Sequence, residues 1–411
     1  MRKIFIIGYV WPEPTASAAG IRMLQLIRFF REQDFEVHFG SPAQQGEHGF
    51  DLKRMGVHCH DIRVNDDDFD VLIAGIDPEV VMFDRYMMEE QFSWRVAENC
   101  PLAIRILNTE DLHFLRAYRK TLAKQHKDFD LNTLKDQSLT KREIAAIYRS
   151  DMSLIISEHE KQLLEDDFEV PASILVYHPL FIEDSLKDRR SKLLSFEDRK
   201  DMVIVGNFLH APNADAVEVL RSGLWARIRE RLPEVTLHVY GAYMPDHLKS
   251  NALKKQGMIF HGRAEDVDTV MRKARLLIAP LRFGAGLKGK LIRAMENGLP
   301  SVTTPTGAEG IAGKADWPGE IARSELEFIE AVATLYQTAS AWNQAVHKGF
   351  DIIDRKFDRK GFEIKLMGRI NALALDLLSH RAQNFTGMML LDQRCMASRY
   401  LSKYIMAKNK N

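Results

Sequence analysis

The sequence predicts an α/β fold built from two Rossmann-like domains in tandem. Three observations carry this reading. Short apolar runs alternate with helical patterns almost from end to end, as in a parallel sheet with helices on both faces. The alternation breaks once, in the charged and aperiodic stretch 181–201, and then restarts. Both halves open in the same way, with a short apolar strand that ends in glycine (Gly8, Gly206), then a loop, then a helix. A length of 411 residues suits two domains, or three at most, given roughly 100–200 residues per domain. Ligands in such folds sit at the carboxyl ends of the strands, here in a cleft between the domains.

The elements follow in order. KIFIIG (3–8) reads as a strand, residues 17–33 as a helix with apolar positions 21, 24, 27 and 30, and FEVHFG (35–40) as a strand. EVVMFD (79–84), LAIRIL (102–107) and SLIIS (153–157) are further strands, with helical patterns at 86–98, 111–126, 138–150 and 158–167. After the linker come strands at 202–206, 235–241, 258–262, 276–281 and 301–304, separated by helices. The last part is helical and includes a long amphipathic stretch at about 359–382.

Composition excludes several classes. With 57 basic and 57 acidic side chains the formal net charge is zero, unlike the basic excess of a dedicated nucleic-acid binder. Cys59, Cys100 and Cys395 are too scattered for a disulfide framework and form no CxxC pair, so they read as packing residues in a reducing compartment. The run Ile4–Val10 is interrupted by Gly8 and leads into Trp-Pro-Glu-Pro, which fits a first buried strand better than a signal peptide. A cytoplasmic protein is expected.

The most informative segment is LLIAPLRFGAGLKGKLIRAMENGLPSVTTPTGAEGI (276–311). A buried strand runs into Gly284, Gly286 and Gly289, interleaved with Lys288 and Lys290, and a helix follows. Glycines let backbone N–H groups approach an anion, the helix N-terminus adds partial positive charge, and the lysines add full charges. That is a phosphate site. Gly284–Lys290 also fits the first seven positions of a P-loop, but Leu291 stands where a magnesium-binding hydroxyl is needed. In the first half, Glu110, Asp111 and His113 cluster after a strand and are candidates for acid–base work or acceptor positioning.

Other clusters read more plainly. Asp66, Asp67, Asp68 and Asp70 lack the spacing of a metal loop, and the histidines of HCH (58–60) share one face of a strand without a further ligand. Segment 116–150 carries nine Lys/Arg against four Asp/Glu, an excess of 9 − 4 = +5. It reads as a solvated helical face, or as one turned to an anionic acceptor or acidic lipid.

The glycine-rich turn, helix, AM-x-x-G-x-P and apolar strand at 284–304 resemble the donor-binding motif of group 1 (family 4) glycosyltransferases of the GT-B fold. VGNFLHAPNADAVEVL (205–220) resembles the start of their donor domain, and WPEPTASAAGIRMLQLIRFF (11–30) their first N-terminal loop and helix, with Ser17, Ala19 and Gly20 toward the acceptor. The resemblance implies an acceptor domain at 1–180, a donor domain at 181–358, and a C-terminal helix and tail at 359–411 packing back on the first. It implies transfer from a nucleotide-diphospho-sugar with retention at the anomeric carbon, the donor serving as co-substrate, with no metal, no other cofactor and no nucleic acid. Peripheral contact with the inner face of a membrane is compatible with it.

Donor binding would fall to Gly206, Asn207, His210, Asn213, Gly286, Lys288 and Lys290, and action on the sugar to His113 or Asp111. One departure matters: the family's two motif glutamates align with Ala285 and Arg293. Glu296 and Glu309 are the available replacements for the ribose acid, with Glu309 favoured because loops at strand ends face the cleft. Two alternatives stay open, a GT-B sugar-nucleotide epimerase or hydrolase, and a non-catalytic homologue acting as a binding subunit.

Overall fold

The computed structural model describes residues 2–182, 190, 193–248, 256–313 and 315–409. Two parallel sheets organise the chain. The first contains β1 (Arg2–Ile7), β2 (Phe35–Ser41), β3 (His58–Asp61), β4 (Val80–Asp84), β5 (Ile104–Glu110), β6 (Met152–Ile155) and β7 (Leu175–Tyr177), in the order β3-β2-β1-β4-β5-β6-β7. The second contains β8 (Lys200–Val205), β9 (Leu237–Tyr240), β10 (Met258–Gly262), β11 (Ala274–Ala279), β12 (Ser301–Thr303) and β13 (Gly319–Ile321), in the order β10-β9-β8-β11-β12-β13. In both, the first strand of the half sits centrally and the strand order reverses beside it, which opens a crevice at the strand ends.

The central strands are apolar on both sides because helices cover both faces. Ile4, Phe5, Ile6 and Ile7 are all buried, as are Met202, Val203, Ile204 and Val205. Each such side chain contributes about 1.5–3 kcal/mol when removed from water. Strands β7 and β13 were not expected from the sequence, since three residues at a sheet edge give no periodic signal. The expected strand at 102–107 is displaced: β5 starts at Ile104 and continues to Glu110, so Glu110 ends the strand instead of beginning a loop. Of the expected linker at 181–201, residues 183–189, 191 and 192 lie outside the described residues, and its end is already strand, since β8 begins at Lys200.

The C-terminal region returns to the first sheet as two helices, Arg359–Gln383 and Phe385–Asn409. Leu366, Ile370, Leu373 and Leu377 form one stripe, and they join the core under β1, β2, β4 and β5. A buried ion cluster fixes the junction. Arg381 donates to both oxygens of Asp151 at 2.8 Å and to the Pro101 and Ala103 carbonyls, while Arg105 approaches the same carboxylate. Burial works to raise the Asp151 pKa, and the two guanidiniums override it and hold it below the ordinary value.

Several smaller features are placed by packing. Cys100 is buried and Cys59 half-buried, and the Cys395 side chain lies outside the described residues. His58 and His60 do share a face of β3, stacked on His38 of β2. No cluster of three metal-ligating side chains occurs among the described residues, and no helix among them is long and apolar enough to cross a membrane. Five of the nine basic residues of 116–150 are already paired, Arg116 with Asp111, Arg119 with Glu309, Lys141 with Asp136, Arg142 with Glu90 and Arg149 with Glu89. Much of that excess charge is spent inside the fold.

Candidate functional site

A cleft of about 910 Å³ opens between the two sheets at their strand ends. Residues 9–20, which are the loop after β1 and the first residues of the next helix, Asp84 at the end of β4 and Glu110 at the end of β5 line one wall. Gly206 after β8, Tyr240 at the end of β9 and the segment after β11 line the other.

The second-domain wall is cationic. Lys288 is the N-cap residue of helix Gly289–Glu296, whose first turn carries no acid, so the helix dipole favours an anion there. The Lys290 ammonium donates to Asn213 Oδ1, and Asn213 Nδ2 donates to the Asn207 carbonyl at 2.9 Å. Burial pushes Lys290 down to about 8 and lowers Lys288 as well. Both are therefore desolvated cations. His210, N-cap of helix Ala211–Val219, is lowered by burial to about 4 and faces the wall as a neutral imidazole. Leu291, at the Mg²⁺ position of the P-loop pattern, is buried in the core. Arg293, at the family's ribose acid position, donates to Asp268 at 2.7 Å, so charge there is balanced.

The first-domain wall is built around Asp111 and His113. Helix His113–Gln125 begins here, and Glu143 accepts from its first two N–H groups, those of His113 at 3.1 Å and Phe114 at 2.8 Å. Arg116, one turn along, clamps the Asp111 carboxylate. Burial opposes ionisation of Asp111, but Arg116 outweighs it and holds the group well below the usual carboxylate range. His113 is driven by burial to about 3, against the pull of Asp111, so it is neutral at pH 7. Beneath lies a polar network. Asn108 donates to Asp84 at 3.1 Å and to Glu110 at 2.9 Å, and buried Arg22 donates to Asn108 Oδ1. Glu110 holds φ +56°, a conformation that costs a non-glycine residue about 1–3 kcal/mol.

The structure brings most of the expected residues together. Ser17, Ala19, Gly20, Asp111, His113, Gly206, Asn207, His210, Asn213, Lys288 and Lys290 all line the cleft. Ser17 also has a local task, accepting from the Gly20 N–H at 3.0 Å as the cap of helix Ala18–Glu32. Two residues stand elsewhere. Gly286 is turned toward the first domain with φ +62°, where an added Cβ would come within 2.7 Å of Asp111 Cβ. Its N–H is taken by Glu160 at 2.7 Å. Glu309 is off the cleft wall, held by Arg119 at 2.7 and 2.9 Å with His159 at 3.3 Å, whereas Glu296 is on it. Sequence reasoning missed Asp84, Arg85, Arg116 and Asp268 on the walls. The strand-end rule applied to β4 points to Asp84 and Arg85; the other two need tertiary partners.

Comparison with known proteins finds likenesses of sequence and of fold. Residues 199–338 match the family model "Glycosyl transferases group 1". An uncharacterized 44.6 kDa protein in the cps region of Klebsiella pneumoniae is 21% identical over 292 residues, covering 68% of this chain and 72% of that one. Among solved structures, sucrose-phosphate synthase from Thermosynechococcus elongatus aligns with TM-score 0.67 at 14% identity, covering 91% of this chain and 99% of its own. An S. aureus TarM variant, solved with fondaparinux, alpha-GlcNAc-glycerol and UDP, aligns with TM-score 0.68 at 10% identity, covering 90% and 100%. Anabaena HepE with UDP-glucose aligns with TM-score 0.64 at 12% identity, covering 91% and 100%. At these identities the solved structures establish the fold.

Proposed function

We propose that the cleft transfers a sugar from a nucleoside-diphospho-sugar to an acceptor held by the first domain, a reading supported by the match of residues 199–338 to the group 1 glycosyltransferase model and by the GT-B fold. The observation that carries the reading is the facing of two desolvated lysines at a helix N-terminus by the Asp111–His113–Arg116 group across one cleft. Lys288, Lys290 and the helix dipole would stabilise the charge that develops on the departing diphosphate. That charge is met by fixed protein groups, so this reading assigns leaving-group stabilisation without a metal. Retention at the anomeric carbon follows the family likeness.

His113 is neutral in the free protein, so its part is to hydrogen-bond the reacting sugar or the acceptor hydroxyl. His113→Ala is expected to cut turnover by about tenfold or more, the worth of one hydrogen bond in a buried site, while nucleotide affinity stays within twofold (~0.4 kcal/mol). Wild-type turnover in the variant would return His113 to a packing role.

For the ribose, the cleft-wall position favours Glu296 over Glu309, whose carboxylate is engaged by Arg119. Glu296→Gln should weaken a ribonucleotide more than its 2′,3′-dideoxy analogue, which has no hydroxyls to lose, by about 1.5 kcal/mol. Equal losses for both ligands would rule Glu296 out, and a selective loss on Glu309→Gln would restore that residue.

A thermal-shift screen against UDP-, GDP-, ADP- and CMP-sugars tests the proposal, beginning with UDP because TarM and HepE were solved with UDP ligands. A donor at 100 times its dissociation constant adds ~2.7 kcal/mol, and no stabilisation by any donor would sink the reading. Ala285 and Arg293 at the acid positions favour one second reading, a nucleotide-binding subunit without turnover. Tight binding with neither transfer, hydrolysis nor epimerisation would select it.

A further inference from the structure

Two side chains that do not line the cleft hold the loop that does. Glu160, in helix Glu158–Asp166 of the first domain, is fully buried. One of its oxygens, Oε1, accepts from the Leu112 N–H at 3.0 Å and from the Gly286 N–H at 2.7 Å. Leu112 separates Asp111 from His113, and Gly286 lies two residues before Lys288. A single atom therefore spans both halves of the site. The other oxygen, Oε2, has no hydrogen-bond partner. Arg119, in helix His113–Gln125, donates to the Gly284 carbonyl at 3.0 Å and to both oxygens of Glu309. The loop 284–286 is thus gripped from its outer side by two first-domain residues, at one carbonyl and one N–H. There is no room for slack, because an added Cβ at Gly286 would meet Asp111 Cβ at 2.7 Å and Ile156 Cδ1 at 2.9 Å.

We propose that Glu160 and Arg119 are positioning residues that shape the phosphate-binding loop of the second domain from the first, so that the anion site and the Asp111–His113 group are set by the same contact. This rests on the reading above that the loop takes a nucleoside diphosphate. The physical reason is preorganisation: a loop already held in its bound shape spends less of its binding free energy on ordering. Separation of the domains would release Gly284 and Gly286 together, and the anion site would loosen before the reacting groups could act on water.

Glu160 also suggests its own control. Burial, with the neighbouring Asp111 carboxylate, raises its pKa. A glutamine, neutral and of the same shape, keeps the Oε1 acceptor.

The test uses the full chain as wild type, Glu160→Ala, Glu160→Gln and Arg119→Ala. Without ligand, amide hydrogen exchange is followed in peptides covering 283–291 and 111–114, with β8 as an internal reference. With ligand, the affinity for UDP, or for whichever nucleoside diphosphate binds the wild type best, is measured by calorimetry. Glu160→Ala and Arg119→Ala are expected to speed exchange at 283–291 about tenfold, leave β8 unchanged, and weaken the nucleotide about tenfold (~1.4 kcal/mol). Glu160→Gln should stay within about threefold of wild type on both readouts, or ~0.65 kcal/mol. Wild-type exchange in the alanine variants overturns the proposal, as does altered exchange with unchanged affinity. A Gln variant as impaired as Ala also overturns it. If the wild type binds no nucleoside diphosphate the reading of the cleft fails instead, and the exchange arm decides the clamp by itself.

Discussion

Replacing Lys290 with alanine is expected to weaken nucleoside-diphosphate binding by about 1.5–3 kcal/mol, roughly 10- to 150-fold, the worth of a charge-assisted hydrogen bond. The size follows from where the lysine sits. Its ammonium donates to the neutral Asn213 Oδ1, so no counter-ion has to be displaced before phosphate can be met. Burial lowers its pKa to about 8, which adds a pH signature. The ammonium is the form that binds an anion, and phosphate raises its pKa. Below pH 8 the free protein already carries the proton, so affinity is flat with respect to this group. Above pH 8 a proton must be taken up on binding, and affinity falls by up to about tenfold per pH unit. Lys290→Ala should remove its own share of that slope as well as the affinity, leaving the share of Lys288, which burial lowers too. Calorimetry in buffers of different ionisation enthalpy measures both, and unchanged affinity together with an unchanged slope would take Lys290 out of the site. The fold should be indifferent, since the ammonium's hydrogen bond goes to another cleft-wall side chain, Asn213.

The second large effect is on stability. Arg381→Ala should destabilise the first domain by about 3 kcal/mol, the lower end for breaking a buried pair, because Arg105 remains beside Asp151. The loss goes beyond one ion pair. Arg381 also donates to Pro101 and Ala103 carbonyls, and its neighbour His380 bonds the Asp151 carbonyl at 2.8 Å. These contacts anchor helix Arg359–Gln383 across the first sheet, ahead of helix Phe385–Asn409. The Asp151 carboxyl has a lowered pKa. Its stabilising contribution is thus present above the unfolded value near pH ~3.9 and is lost as pH falls through the folded value. Urea denaturation at pH 7 and limited proteolysis of the C-terminal helices measure the effect. A variant with the wild-type urea midpoint and an equally resistant C-terminus would show that the apolar stripe Leu366, Ile370, Leu373 and Leu377 suffices for docking.

What the sequence determined by itself was everything encoded within about one helix or one strand–loop–helix unit. The alternation of apolar runs and helical patterns specified two parallel sheets, because a strand buried on both faces and an amphipathic helix differ in period. Lys288 and Lys290 at the start of a helix specified a cationic stretch of the cleft wall, because the charges, the glycines and the helix N-terminus lie within a few residues of one another. The placement of Asp111 and His113 just after a strand put them on the cleft wall.

The tertiary structure decided every role that depends on a distant partner. Ser157 caps helix Glu158–Asp166 by accepting from the Glu160 N–H, a contact made within the helix start itself. The Glu160 carboxyl nevertheless reaches Gly286, 126 residues away. Glu309 follows a strand end as a ribose acid should, yet Arg119 from the other domain claims it. Gly286 has the look of a phosphate-loop glycine and serves instead to let Asp111 approach. In each case local sequence fixed the side chain and its neighbourhood along the chain. The closing of one sheet over the other fixed which charge or N–H it faced, and in a buried site that partner determines the chemistry.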